Sequence, residues 1–179
     1  MLHGDKYFLK TAQLGFREWT EGDLPLALSI WGDAEVTKYV GGPFSEKQVA
    51  ERLSRETASM KTYGVEYWPI FLLETDEHVG AAGMRIYKLE EKIYATGYYL
   101  RRKFWGQGLA SEAGRAVIEY AFTTLGANSL FAGHHPDNAA SRAVLAKLGF
   151  KFTHKQLYPP TGLQHDSYLL MNPSAKTNS

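Results

Sequence analysis

Lys103-Phe104-Trp105-Gly106-Gln107-Gly108-Leu109-Ala110-Ser111-Glu112-Ala113 carries two glycines between a strand-like run and the start of an amphipathic helix. Gly106 and Gly108 have no Cβ, so the peptide N–H groups of this turn can converge on one anion with no side chain in the way. Beyond the turn, Leu109, Ala113, Ala116, Val117, Tyr120 and Ala121 recur at helical spacing and form one apolar face. The first turn of that helix offers unpaired N–H donors and the positive end of a helix dipole. The pattern reads as a backbone cradle for phosphate. A tight strand-to-helix turn whose glycines serve geometry alone would look the same.

Known phosphate fingerprints narrow the choice. A dinucleotide-binding G-x-G-x-x-G needs glycine or alanine where Ser111 stands, and no G-x-x-x-x-G-K-[ST] occurs in the chain. The 179 residues, 44% of them hydrophobic, suit one compact domain over residues 1–171, with the polar stretch 172–179 as a flexible tail. Twenty Lys and Arg against nineteen Asp and Glu leave a net charge of +1, which lacks the basic surface of a nucleic-acid binder. Any anion binding is therefore local, and no nucleic-acid partner is expected. The chain has no cysteine, which removes disulfides, thiolate metal ligands and a cysteine nucleophile. No apolar run reaches the roughly 18 residues of a membrane span. Met1-Leu2-His3-Gly4-Asp5-Lys6 opens nothing like a secretory signal, so a cytoplasmic protein with no membrane partner is expected. The sequence sets no oligomeric state, and a homodimer is compatible with it.

Periodicity predicts a strand over 11–18 and helices over 22–31 and 45–63, the second opened by the capping order Ser45-Glu46-Lys47-Gln48. Three strand-like runs follow, 67–73, 79–87 and 93–101, separated by turns at Thr75-Asp76-Glu77 and Leu89-Glu90-Glu91-Lys92. After the glycine-loop helix come a strand over 129–133, a short helix from Asn138, and strands over 150–157 and 163–171 joined by Pro159-Pro160-Thr161-Gly162.

The glycine segment resembles the acyl-CoA pyrophosphate loop of the GNAT superfamily of acetyltransferases. That pattern, [QR]-x-x-G-x-[GA], falls on residues 105–110, with Trp105 where Gln or Arg is usual. The W-G-x-G-x-A-[ST]-E-A version looks like the branch that includes ribosomal-protein N-terminal (alanine or serine) acetyltransferases. The segment from His134 to Phe150 is similar to that branch's H-x-x-N-x-x-S-x-x-x-L-x-K-x-G-F, and two motifs in order weigh far more than one. On its own the segment is a capped helix, with Pro136 and Asp137 or Asn138 at the entrance and Gly149 at the end. The runs Leu14 to Leu24 and His165 to Leu170 also resemble this branch, so the likeness spans nearly the whole chain.

The resemblance implies an α/β (α+β) fold, a mixed and mainly antiparallel central sheet with helices on both faces. The strand ending at Leu100 and the one ending near Gly133 would splay apart to form an acyl-CoA wedge. It implies acetyl-CoA as cosubstrate and no metal. Pantetheine would run beside the backbone of Tyr98 to Leu100, with the pyrophosphate on Trp105, Gly106, Gln107, Gly108, Leu109 and Ala110. The implied reaction is direct attack of a primary amine, on a small molecule or a protein N-terminus, on the acetyl thioester. An α-amino group, with a reference pKa of about 8, needs a weaker base than a lysine amine at about 10.4. A CoA-binding sensor or interaction module without catalysis is the alternative. Competition by ATP but not CoA would instead mark a nucleotide binder.

Many members of the family set a tyrosine on this last helix as acid for the departing thiolate, but Leu145 occupies the aligned position. Ser141 is the substitute, its hydroxyl one turn into the helix, unless it merely bonds its own helix backbone. Asn138 orients pantetheine or caps the helix. His134, with His135 beside it, ends the wedge strand and can relay the amine proton. His165 and Asp166 alternate on a strand, which argues against a direct pair. Glu66 reads as a surface carboxylate before it reads as a base. Trp31, Tyr39, Tyr63, Tyr67 and Trp68 either wall an acceptor slot or fill a core, and Trp31 and Trp68 are expected to be packed. Arg101, Arg102 and Lys103 attract the anionic cofactor or form a solvated cluster.

Overall fold

A computed structural model of the chain describes residues 5–175, so the opening Met1 to Gly4 and the last four tail residues lie outside the described residues. Strands β1 (Leu9–Lys10), β2 (Leu14–Phe16), β3 (Tyr67–Leu72), β4 (His78–Lys88), β5 (Ile93–Leu100), β6 (Ser129–His134), β7 (Lys151–Tyr158) and β8 (Leu163–Met171) form one sheet in the order β1-β2-β3-β4-β5-β6-β8-β7. Every neighbouring pair is antiparallel except β5 with β6. The helices are α1 (Leu24–Trp31), α2 (Glu46–Tyr63), α3 (Leu109–Glu119) and α4 (Ala139–Lys147). The mixed α/β architecture expected from the sequence is the one found.

The N-terminal segment departs from expectation. One strand over 11–18 was predicted, but the chain forms a hairpin of β1 and β2 that turns at Thr11. The Thr11 N–H donates to the Leu14 carbonyl at 2.9 Å, and the Leu14 N–H returns to Thr11 Oγ1 at 2.9 Å. Glu112 of α3 clamps this turn, accepting from Thr11 Oγ1 at 2.5 Å and from the Gln13 N–H at 2.8 Å. A helix was predicted from residue 22. Instead a short 3-10 turn, Glu21–Asp23, leads into α1, because Asp23 accepts from both the backbone and the hydroxyl of Thr20. The capping box of α2 is present as read, with Ser45 and Gln48 bonding each other's backbone N–H groups.

Alternation along the strands divides the interior into two layers. Ala82, Met84, Tyr94, Leu100 and Leu130 point toward α3 and α4 and meet Leu109, Ala113, Val117 and Leu145. Ala81 and Tyr67 point the other way and meet Trp31, Val49 and Leu53 from α1 and α2. Each fully buried large apolar side chain contributes about 1.5–3 kcal/mol, so both helix pairs are held to the sheet by their apolar stripes. Of the expected polar tail, residues 172–175 turn back at the end of β8, where the Asn172 N–H reaches the Asn128 carbonyl at 2.9 Å.

Candidate active site

β5 and β6 are paired only at Ile93 with Ser129, Tyr94 with Leu130 and Ala95 with Phe131. From Thr96 onward β5 keeps β4 as its only strand neighbour, and from Ala132 onward β6 keeps only β8. The two strands part there, which leaves the β5 backbone from Thr96 to Leu100 without a strand on that edge. An apolar cleft lined by Thr96, Gly97, Tyr98, Leu145, Leu148 and Phe150 runs between β5, α3 and α4 on the same side.

The glycine loop lies just past the end of β5. Gly106 and Gly108 have φ of +72° and +76°, in the left-handed region that favours glycine. No heavy atom stands within 4 Å of where a Cβ would lie at either glycine, so conformation and not crowding within the chain selects them. No side chain caps the first turn of α3, which leaves its N–H groups directed at the space above the loop. The Trp105 indole N–H donates to the Leu100 carbonyl at 2.7 Å and ties the loop to the strand end. The Gln107 amide reaches the Lys103 carbonyl at 2.8 Å. Arg101 is spent on the His78 carbonyl at 2.8 Å, and Lys103 pairs with Glu77. Among the described residues Arg102 has no ion pair, so of the three cations it is the one open to a ligand.

Asn138 caps α4, with Oδ1 accepting the Ser141 N–H at 3.1 Å. The Ser141 hydroxyl does not bond its own helix. It lies 3.2 Å from the Tyr98 hydroxyl on β5, across the mouth of the parted strands. Burial holds the Tyr98 phenol above its ordinary pKa, so it stays protonated at neutral pH. This side chain was missed in the sequence, where the segment was read only for its backbone. The strand alternation that turns Tyr98 toward α4 and Tyr99 toward α2 was the available signal. Leu145, in the position of the family's tyrosine, lines the apolar cleft.

His134 is buried, and its Nδ1 lies 2.7 Å from the His135 carbonyl. A carbonyl can only accept, so the proton sits on Nδ1 and Nε2 accepts from the Tyr168 hydroxyl at 3.0 Å. His165 and Asp166 point to opposite faces, as strand alternation predicted. Asp166 pairs with Lys155 at 3.2 Å. His165 Nε2 bonds Thr161 Oγ1 at 2.9 Å, and its ring packs on Tyr158 and His135. Burial first, then the neighbouring His135 and His134, push the His165 pKa down and favour its neutral form.

Glu66 corrects the sequence reading. It is 1% exposed, not a surface carboxylate. Its Oε1 accepts the Trp19 N–H at 3.0 Å while Oε2 is buried without a partner. Burial raises its pKa to about 8, so the group is largely protonated near neutrality. The expected aromatic slot is also divided between layers. Trp31 and Tyr67 sit under α2, Trp68 belongs to the α3 layer, Tyr39 lies against His135, and Tyr63 is exposed. Under α2 the Arg52 guanidinium stands 4.0 Å from the Trp31 ring centre, 5.0 Å from Tyr99 and 5.6 Å from Tyr67. Among the described residues no group of three or more His, Asp or Glu side chains is set to hold a metal ion, and no helix is long and apolar enough to cross a membrane.

Parted strands beside a left-handed glycine loop and an uncapped helix are the arrangement that the resemblance to the GNAT superfamily implies. The family model described as an acetyltransferase (GNAT) domain matches residues 13–151, and the chain belongs to that family of acyltransferase enzymes. It is 33% identical over 145 residues to an uncharacterized N-acetyltransferase, p20, of Bacillus licheniformis, covering 80% of this chain and 82% of that protein. An acetyltransferase from Agrobacterium tumefaciens superposes with a TM-score of 0.78 at 25% identity, over 95% of this chain and 97% of the other. The ribosomal L7/L12 α-N-protein acetyltransferase RimL, solved in complex with coenzyme A, superposes with a TM-score of 0.79 over 92% and 97% of the two chains. At 18% identity that likeness is one of fold.

Proposed function

We propose that the protein is a cytoplasmic, acetyl-CoA-dependent N-acetyltransferase whose residues 1–171 act as a single domain, and that its acceptor is a primary amine on a small molecule or a protein N-terminus. The observation that carries this reading is the Ser141–Tyr98 hydroxyl pair at the point where β5 and β6 part. Acetyl-CoA supplies an activated acetyl thioester. The backbone of Leu100, Trp105, Gly106, Gln107, Gly108, Leu109 and Ala110, with the free amide nitrogen of Asn138, binds and orients it. The amine enters from the α2 face, its nitrogen bonds to the acetyl carbon, and the C–S bond breaks. Ser141 gives its proton to the departing sulfur as Tyr98, kept protonated by burial, passes its own to Ser141 and is reprotonated from solvent. His134 and Tyr168 form a fixed relay beside the gap for the proton lost by the amine.

The test is free-thiol release from acetyl-CoA against a panel of peptides with free N-termini and small amines, with CoA binding followed by calorimetry. Turnover of one acceptor class is the expected result. Binding without turnover across the panel would favour a CoA sensor, and absence of CoA binding would overturn both.

A further inference from the structure

On the α2 face, beside the gap, hydrogen-bond donors outnumber acceptors. Arg52 lies mostly within the protein, its side chain 21% exposed. Only its Nε has a protein partner, Glu56 Oε1 at 3.3 Å. The other oxygen of Glu56 accepts the Tyr67 N–H at 2.8 Å, so both of its oxygens are engaged. The terminal nitrogens of the Arg52 fork have no carboxylate partner among the described residues, and the Tyr99 hydroxyl is the neighbour that can accept from them. The hydroxyls of Tyr67 and Tyr158 are without a protein partner among the described residues. Burial holds Tyr67 and Tyr158 above the ordinary tyrosine pKa, so both remain donors. Arg85 projects from β4 on the same face, near enough to Glu56, Tyr67 and Tyr158 to act on their charge, and has no ion pair among the described residues. A cleft of about 260 Å³ between α1 and α2 reaches Arg52 from outside, with Trp31, Phe44, Glu51 and Arg55 in its wall.

An amine with no anionic group placed here would add a second cation beside Arg52 and Arg85 and bring no acceptor to the guanidinium fork. The Trp31 and Tyr99 rings, set edge to face, hold the Arg52 guanidinium against them, and a planar fork matches a planar anion. We infer that the acceptor is a primary amine that also carries a carboxylate, and that Arg52 receives that carboxylate with Arg85 and the Tyr99 hydroxyl beside it. This deepens the reading of the protein as an N-acetyltransferase and rests on it. The carboxylate belongs either to a free amino acid or to an acidic side chain next to a peptide's N-terminus.

The experiment compares kcat/KM for matched acceptors: phenylalanine against phenethylamine, and peptides beginning Ala-Asp against Ala-Asn. Calorimetry of phenylalanine and of the Ala-Asp peptide onto the CoA-loaded protein runs in parallel. At least about a tenfold preference for the carboxylate member of one pair is expected, because a site built to bond a group rejects the analogue that lacks it. The pair that shows the preference identifies the source. Arg52→Gln should raise KM for that acceptor about tenfold and erase its advantage over the matched acceptor that lacks the carboxylate. Arg85→Gln, at an exposed position, should do the same more weakly and guards against a folding defect in the Arg52 variant, with CoA affinity the control in both. Equal use of both members of each pair, or equal losses for both in the two variants, would overturn the inference while leaving acetyl transfer intact. Carboxylate binding lost in Arg85→Gln but without turnover of any amine would instead support the site and overturn the transfer reading.

Discussion

The two faces of the sheet differ in how their binding groups are assembled. On the α3 side, the residues proposed for coenzyme A come from two short runs, 105–110 and 138–141, and act mainly through backbone amides and helix ends. On the α2 side, Arg52 and Glu56 come from α2, Tyr67 from β3, Arg85 from β4, Tyr99 from β5 and Tyr158 from β7. The first site depends on local conformation, which a few glycines and one asparagine set. The second depends on side chains that meet only once the sheet has formed. A cosubstrate site set by short local geometry can therefore persist while scattered side-chain changes on the other face alter the acceptor.

Gly108→Val attacks the local side of this comparison and should have the largest effect. A β-branched residue at φ +76° is strained by at least about 1–2 kcal/mol, and relief of that strain moves the N–H groups of the cradle. Calorimetry should show CoA affinity falling more than about 100-fold with the thermal midpoint only slightly lowered. Unchanged affinity would mean that the loop is a turn and nothing more. Ser141→Ala should come next, lowering kcat about 10- to 100-fold while CoA affinity stays within about twofold, since general acid help is lost and the cradle is not. Unchanged turnover would remove Ser141 from the chemistry.

The same contrast explains what the sequence allowed one to read. Gly106, Gly108, Asn138 and the Ser45 capping box act within a few residues of themselves, and each was legible from spacing. The order of elements along the chain and the central meander were legible from the alternation of strands and turns, while the placing of β8 between β6 and β7 was not read. The β1–β2 hairpin was not, because its turn depends on Glu112, a residue 101 positions away from Thr11. Glu66 was misread for a similar reason: nothing beside it in the chain shows that Trp19 and the α2 layer bury it. Tyr98 escaped because its partner Ser141 is 43 residues distant, and Arg52 because an arginine on a polar helix gives no local sign of stacking on Trp31 and Tyr99.

Glu66 offers a test of the α2 layer that is independent of catalysis. Its folded pKa of about 8 exceeds the ordinary carboxylate value of about 4.3, so the folded state holds a proton that the unfolded chain has released between those limits. Stability is therefore highest below pH 4–5 as far as this group is concerned, and falls as pH rises to about 8, by an amount on the order of a few kcal/mol. Glu66→Gln keeps an oxygen for the Trp19 N–H and removes the titration. Its thermal midpoint at pH 8 should exceed that of the parent by several degrees, and the difference should close toward pH 5. A difference independent of pH would place the carboxyl in contact with water.

Tyr98→Phe tests the contact across the mouth of the parted strands, and its effect should be the smallest. The ring stays, so the apolar cleft and the pantetheine path along β5 are kept and CoA affinity should not change. Only the bond to Ser141 is lost, and a single hydrogen bond is worth about 0.5–1.5 kcal/mol. A threefold to tenfold drop in kcat is expected, with Ser141 left free to rotate. In the Ser141→Ala background the same change should cost nothing further, because the tyrosine acts through the serine. If Tyr98→Phe alone were as damaging as Ser141→Ala, or damaging in its absence, the phenol and not the serine would be the group that meets the thiolate. The proton donor of this active site would then belong to the strand and not to the helix.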